Sequence, residues 1–211
     1  MKNSITELVF ILDKSGSMAG KEQDTIGGFN SMIEKQKNTE GKTYVSTVLF
    51  SNQSTVLHDR KDLNEIEPIT EKDYFVDGCT ALLDAIGGAI HHISNIHKYD
   101  REEDVPEHTL FVITTDGMEN ASREYTYDKV KEMIKQKEEC GWEFLFVAAN
   151  IDAAATAERM GICCDRAANY DVDFSEILYD EMAKTVHLFR MTGKVREGWA
   201  EKIDETNKKD K

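Results

Sequence analysis

Three apolar runs of strand length constrain this chain most, because each ends abruptly at a polar residue. ELVFILD (residues 7–13) and HTLFVITTD (residues 108–116) both end in aspartate, and WEFLFVAAN (residues 142–150) ends in asparagine. Apolar runs without polar alternation mark strands covered on both faces, as in a parallel sheet between two layers of helix. The segments between them have helical period. Residues 24–37 place Ile26, Phe29 and Ile33 on one face, although Gly27 and Gly28 each weaken that helix by about 1 kcal/mol relative to alanine. The two glycines are expected to permit close approach to the preceding loop. Residues 80–97 place Leu82, Ala85, Ile86, Ala89, Ile90 and Ile93 on one face. Residues 126–141 turn Val130, Met133 and Ile134 inward, with Thr126 as a cap and Gly141 as a stop. Residues 152–161 make a short helix closed by Gly161, and residues 175–193 make a long one.

Strands alternating with helices imply right-handed βαβ units and a mainly parallel sheet. One pair breaks the pattern. TYVSTVLFS and STVLHDR are β-rich runs separated by Asn52 and Gln53, which reads as a hairpin and makes that pair antiparallel. A final strand is expected within ICCDRAANY (residues 162–170). At 211 residues the chain suits one α/β domain over residues 1–211, its polar end from about residue 200 frayed. The acidic run at residues 100–108 reads as a solvated loop.

Charge narrows the function. With 26 basic against 40 acidic residues the formal net charge is −14, which disfavours nucleic acid and anionic membrane as partners and favours cations. No apolar run reaches the ~20 residues that span a bilayer, and the start lacks a signal-peptide core, so a cytoplasmic location is expected. Cys79, Cys140, Cys163 and Cys164 have neither CxxC nor zinc spacing, and no structural disulfide is expected; the adjacent pair Cys163 and Cys164 reads as buried reduced thiols rather than a redox-active pair.

Ligands of such sheets bind outside the carboxyl ends of the strands. Asp13 and Asp116 end two central strands, so both carboxylates are expected at one edge. In DKSGSM, residues two apart point the same way, so Asp13, Ser15 and Ser17 can face one point while Gly16 lets the backbone bend. Taken alone, that triplet is equally a turn capping a helix. Thr80, read as the start of its helix, brings a third hydroxyl to the crevice. Two carboxylates and three hydroxyls form a hard-oxygen set suited to magnesium or a similar divalent ion. His91, His92 and His97 share a helix without ligand spacing and read as surface or packing residues. Met118 reads as a rim residue. Asp84 either supports the site from behind or favours its own helix start.

DKSGSM, Thr80 and TTDGMEN together resemble the metal-ion-dependent adhesion site of von Willebrand factor type A domains. That pattern is Asp-x-Ser-x-Ser, then Thr, then Asp-Gly, and all five positions match in order. The similarity covers roughly residues 5–149, and residues 146–162 more weakly resemble a segment of bacterial, intracellular members. The resemblance implies a doubly wound, Rossmann-like sheet with one antiparallel edge strand. It also implies a metal site of Asp13, Ser15, Ser17, Thr80 and Asp116 holding Mg2+, or alternatively Mn2+ or Ca2+. Ser15, Ser17 and often Thr80 would bind directly, and the aspartates directly or through water. The implied partner is a protein whose Asp or Glu carboxylate completes the coordination.

Enzyme readings fit less well. A phosphatase using Asp13 as nucleophile would need a second acid at Ser15, and nucleotide-binding glycine motifs and the G-x-S-x-G elbow are absent. A metal-dependent phosphate-ester hydrolase remains the alternative, as does an assembly subunit whose site stays permanently filled.

Overall fold

The computed structural model describes residues 5–171 and 175–209. β1 (Ile5–Asp13), β2 (Lys42–Phe50), β3 (Ser54–Asp62), β4 (His108–Thr115), β5 (Trp142–Ala148) and β6 (Ala167–Asn169) form one sheet in the order β3-β2-β1-β4-β5-β6. All neighbours pair in parallel except β2 and β3, which are antiparallel. The hairpin is thus the antiparallel edge, and the remaining architecture is Rossmann-like, as anticipated.

Alternation along each central strand feeds two cores. Leu8, Phe10 and Leu12 point to one face, where they meet α1 (Glu22–Lys37), α5 (Ser175–Thr192) and α6 (Glu201–Lys209). Val9 and Ile11 point to the other, against α2 (Leu82–Tyr99), α3 (Tyr127–Glu139) and α4 (Ala153–Met160). Every residue of β1 is buried. The continuous apolar runs are therefore the direct consequence of helices on both faces. Among the described residues, no helix is long and apolar enough to cross a membrane.

Local signals set several boundaries. Thr126 caps α3 by accepting the Lys129 N–H, and Gly141 and Gly161 follow α3 and α4 with positive φ. Asp152 caps α4 through the Ala155 N–H.

Other expectations need correction. Gly28 does permit close approach, but to α5 rather than to the preceding loop: a Cβ there would lie 2.0 Å from the Tyr179 ring. The final strand does fall within residues 162–170, as β6, and it is short because residues 164–166 form a single 3-10 turn. Cys163 and Cys164 are exposed rather than buried, as are Cys79 and Cys140, since all four lie outside the α-helices and β-strands. The segment after residue 200 forms α6, because Ile203 and the adjacent Trp199 are buried in the first core. Two apolar anchors suffice to dock an otherwise polar segment. The acidic loop is tied down at the opposite end of the sheet from Asp13. There Arg60 donates to Glu7 Oε2 at 2.7 Å and to the Asp104 carbonyl at 3.2 Å, and also pairs with Asp100. Glu7, wholly buried at the start of β1, gains its counter-charge this way.

Candidate metal centre

Three loops meet beyond the carboxyl ends of β1 and β4. At the end of β1, the Asp13 carboxylate turns toward the loop that follows, and Oδ1 accepts the Ser15 N–H at 2.7 Å. Oδ2 accepts the Thr115 hydroxyl at 2.6 Å. Thr115 is the last residue of β4 and lies beside Asp13 because the two strands are adjacent and in register, Leu12 opposite Thr114. The backbone of Asp13 is also held, its carbonyl accepting the Tyr74 hydroxyl.

Beyond Asp13 the chain turns through Gly16, whose N–H donates to the Gly78 carbonyl at 2.9 Å. A Cβ on Gly16 would lie 3.2 Å from that oxygen, so glycine permits this approach. Lys14 adds a second clamp: its carbonyl accepts the Asp77 N–H at 2.8 Å and its ammonium lies 3.0 Å from Asp77 Oδ1. These contacts bring the segment carrying Thr80 against the one carrying the serines.

Three hydroxyls then form a chain. Thr80 Oγ1 donates to Ser15 Oγ at 3.0 Å, and Ser15 Oγ and Ser17 Oγ are 3.0 Å apart. Thr80 belongs to the loop rather than to the helix start: α2 begins at Leu82, with Ala81 at the N-cap position. Its backbone is fixed from the third loop, where Asn120 Oδ1 accepts the Thr80 N–H at 2.9 Å and the Thr80 carbonyl accepts the Asn120 N–H at 3.0 Å.

Asp116 follows β4 directly. Its side chain is fully buried, and Oδ1 has no hydrogen-bond partner among the described residues. Oδ2 meets the Lys21 ammonium. A Cβ on the adjoining Gly117 would lie 2.9 Å from both Ser17 Oγ and Thr80 Oγ1. The third loop therefore lies directly against the hydroxyl chain. All five residues singled out from the sequence thus assemble at one edge.

The electrostatics follow from burial. Desolvation is the main reason the Asp13 carboxyl lies above its ordinary range; its bonds with Ser15 and Thr115 oppose that shift, and the neighbouring Asp116 charge adds to it. A buried carboxylate oxygen without a donor is costly unless a cation or proton meets it. Among the described residues no three His, Cys, Asp or Glu side chains converge. The donor set is two carboxylates and three hydroxyls, which fits a small hard divalent ion better than a thiolate- or imidazole-seeking one.

The other residues sort themselves by contact. Met118 stands exposed at the rim. Asp84 neither touches the hydroxyls nor merely favours its helix: its carboxylate accepts the N–H groups of Arg123, Glu124 and Tyr125, ordering the third loop from behind. His92 bonds Asp59 on the surface, and His97 packs edge-on against Trp142. Sequence reasoning missed Thr115, Asn120 and Lys21. Only Lys21 carried a local signal, a cation where a helix start favours a hydroxyl or carboxylate.

No family model matches this sequence, and neither does any curated protein. Solved structures do match the fold. Proximal thread matrix protein 1 from the mussel byssus, with a zinc-occupied MIDAS motif, superposes with a TM-score of 0.60 at 13% identity, over 87% of this chain and 46% of that one. A von Willebrand factor type A protein from Catenulispora acidiphila gives 0.58 at 13% identity, over 87% and 43%. Manganese-loaded TRAP protein from Plasmodium vivax gives 0.56 at 15% identity, over 84% and 73%. This chain spans less than half the length of the first two. The fold is that of a von Willebrand factor type A domain.

Proposed function

We propose that this von Willebrand factor type A fold, a single domain over residues 1–211, is a metal-dependent protein-binding module of the cytoplasm. Asp13, Ser15, Ser17, Thr80 and Asp116 would hold the ion, Mg2+ or alternatively Mn2+ or Ca2+. The observation that carries the reading is Asp116: a buried carboxylate with one oxygen unpartnered, beside three linked hydroxyls. The zinc-occupied MIDAS of the mussel protein and the manganese of the Plasmodium protein support the choice of a divalent ion.

A divalent ion held here supplies an electrophilic position for a carboxylate from outside. Two carboxylates balance the ion's formal charge, but where they act through water the ion would keep the electrophilicity that an incoming Asp or Glu satisfies, and a magnesium-bound water is there to be displaced. Thr115 and the Ser15 N–H hold the Asp13 carboxylate in one orientation, while Asn120 and Gly78 hold the segments that present the hydroxyls. The enzymatic alternative would need a second acid two positions after Asp13, and Ser15 stands there, its hydroxyl engaged with Ser17 and Thr80.

The test is affinity capture on the full chain in magnesium, with unmodified protein, Thr80→Ala and Asp116→Ala compared. Thr80→Ala is expected to lose captured protein while its melting temperature changes little, and excess EDTA to release the partner without unfolding the domain. A partner retained in EDTA by Thr80→Ala would overturn the reading. Hydrolysis of phosphate esters that requires magnesium and Asp13 would favour the enzyme alternative.

A further inference from the structure

Lys21 is a site neighbour whose charge a metal-binding pattern does not explain. It stands at the N-cap of α1, makes no side-chain cap there, and adds positive charge where the helix dipole disfavours it. The helix start is served by its neighbours instead: Glu22 accepts the Gly20 N–H at 2.7 Å, and Glu22 and Asp24 lie in the first turn. Gly20 turns the chain here with a φ of 86°. The Lys21 side chain, only 15% exposed, runs back to the site and sets its ammonium on Asp116 Oδ2. The same nitrogen lies 3.4 Å from the Ser17 carbonyl. An ammonium has three donors and no acceptor, so it serves oxygen atoms much as a metal cation does. It comes tethered to the chain, and it already holds a carboxylate the ion would need.

We propose that Lys21 is a built-in counter-cation for Asp116, which a divalent ion must displace or outcompete. This rests on the metal reading above. Without the ion, Lys21 offsets a carboxylate buried away from water. With the ion, two cations would crowd one buried carboxylate and repel. Lys21 therefore raises the metal concentration at which the site fills.

The experiment uses the full chain and Mn2+ as probe, with binding measured by calorimetry and melting by circular dichroism. Lys21→Met keeps the length of the side chain and removes its charge. It is expected to tighten Mn2+ binding by about tenfold or more, about 1.4 kcal/mol. It is also expected to melt below the unmodified protein in EDTA, and at or above it in saturating Mn2+. If Lys21→Met does not fold, Lys21→Gln supports the same comparison. Unchanged or weaker Mn2+ binding by the folded variant would overturn the role of Lys21 and leave the metal site standing. Absence of Mn2+ binding by every form would overturn both.

Discussion

At the scale of single residues, the site depends on what is missing as much as on what is present. Gly117 has no side chain because the hydroxyls of Ser17 and Thr80 occupy the space, each 2.9 Å from where a Cβ would stand. A spacing that tight forces a neighbour to move, and here the neighbours are the two donors themselves. Gly117→Ala is therefore expected to fold, to lose little stability, and to bind Mn2+ at least about tenfold more weakly, roughly 1.4 kcal/mol. Calorimetry checks the affinity and a melting curve checks the fold; equal affinity in the two proteins would show that the hydroxyls do not ligate.

At the scale of elements, the contact between α1 and α5 holds the first core together. Gly28 lets the Tyr179 ring lie directly on the α1 backbone. Gly28→Ala gains helix propensity worth about 1 kcal/mol. It also inserts a methyl 2.0 Å from an atom of the buried Tyr179 ring, and overpacking of that kind typically costs about 1–3 kcal/mol. Net destabilisation is expected, read as a lower urea midpoint. The same two helices are joined on the surface by Lys35 and Asp180, 3.0 Å apart, with Lys184 also on Asp180. Hydrogen bonds from Lys184 and Lys35 lower the Asp180 pKa from 3.8 to about 2. A depressed carboxyl pKa stabilises the folded form above the unfolded value and loses that contribution as pH falls through the folded one. Asp180→Asn is thus expected to be slightly less stable than the unmodified protein near neutrality, with the gap closing between pH 3.8 and about 2. The effect is small because the pair is partly exposed. A gap that widens on acidification would show that Asp180 is not ion-paired.

For the whole molecule, the consequence of the metal reading is a stability that depends on ion concentration. An ion that binds only the folded chain adds about 2.7 kcal/mol at 100 times its dissociation constant. Saturating Mg2+ or Mn2+ is expected to raise the melting temperature, and Asp13→Ala to abolish most of the gain. Coincident melting curves with and without the ion would count against the site. The four exposed thiols give a second whole-molecule outcome: alkylation of native protein prepared in reducing buffer is expected to modify Cys79, Cys140, Cys163 and Cys164 without prior unfolding.

The strand runs, the helical faces and the antiparallel hairpin were legible because burial on one or two faces writes a period into the chain. That Asp13, Ser15, Ser17 and Asp116 meet at one edge was legible because they follow the ends of β1 and β4, whereas Thr80, read at a helix start, lies in the loop before α2. The exposed cysteines, α6 and the target of Gly28 were not legible, since each depends on which distant surface arrives: a loop margin, the first core, the Tyr179 ring. The same holds for the site's supports. Thr115 reaches Asp13 only because β1 and β4 are adjacent, and Lys21 reaches Asp116 across 95 positions of chain. The identity of donors and their local direction follow from sequence, because they are set within a few bonds. Their counter-charges and clamps are decided by tertiary structure, because hydrogen bonds and ion pairs act over a few ångströms whatever the separation along the chain.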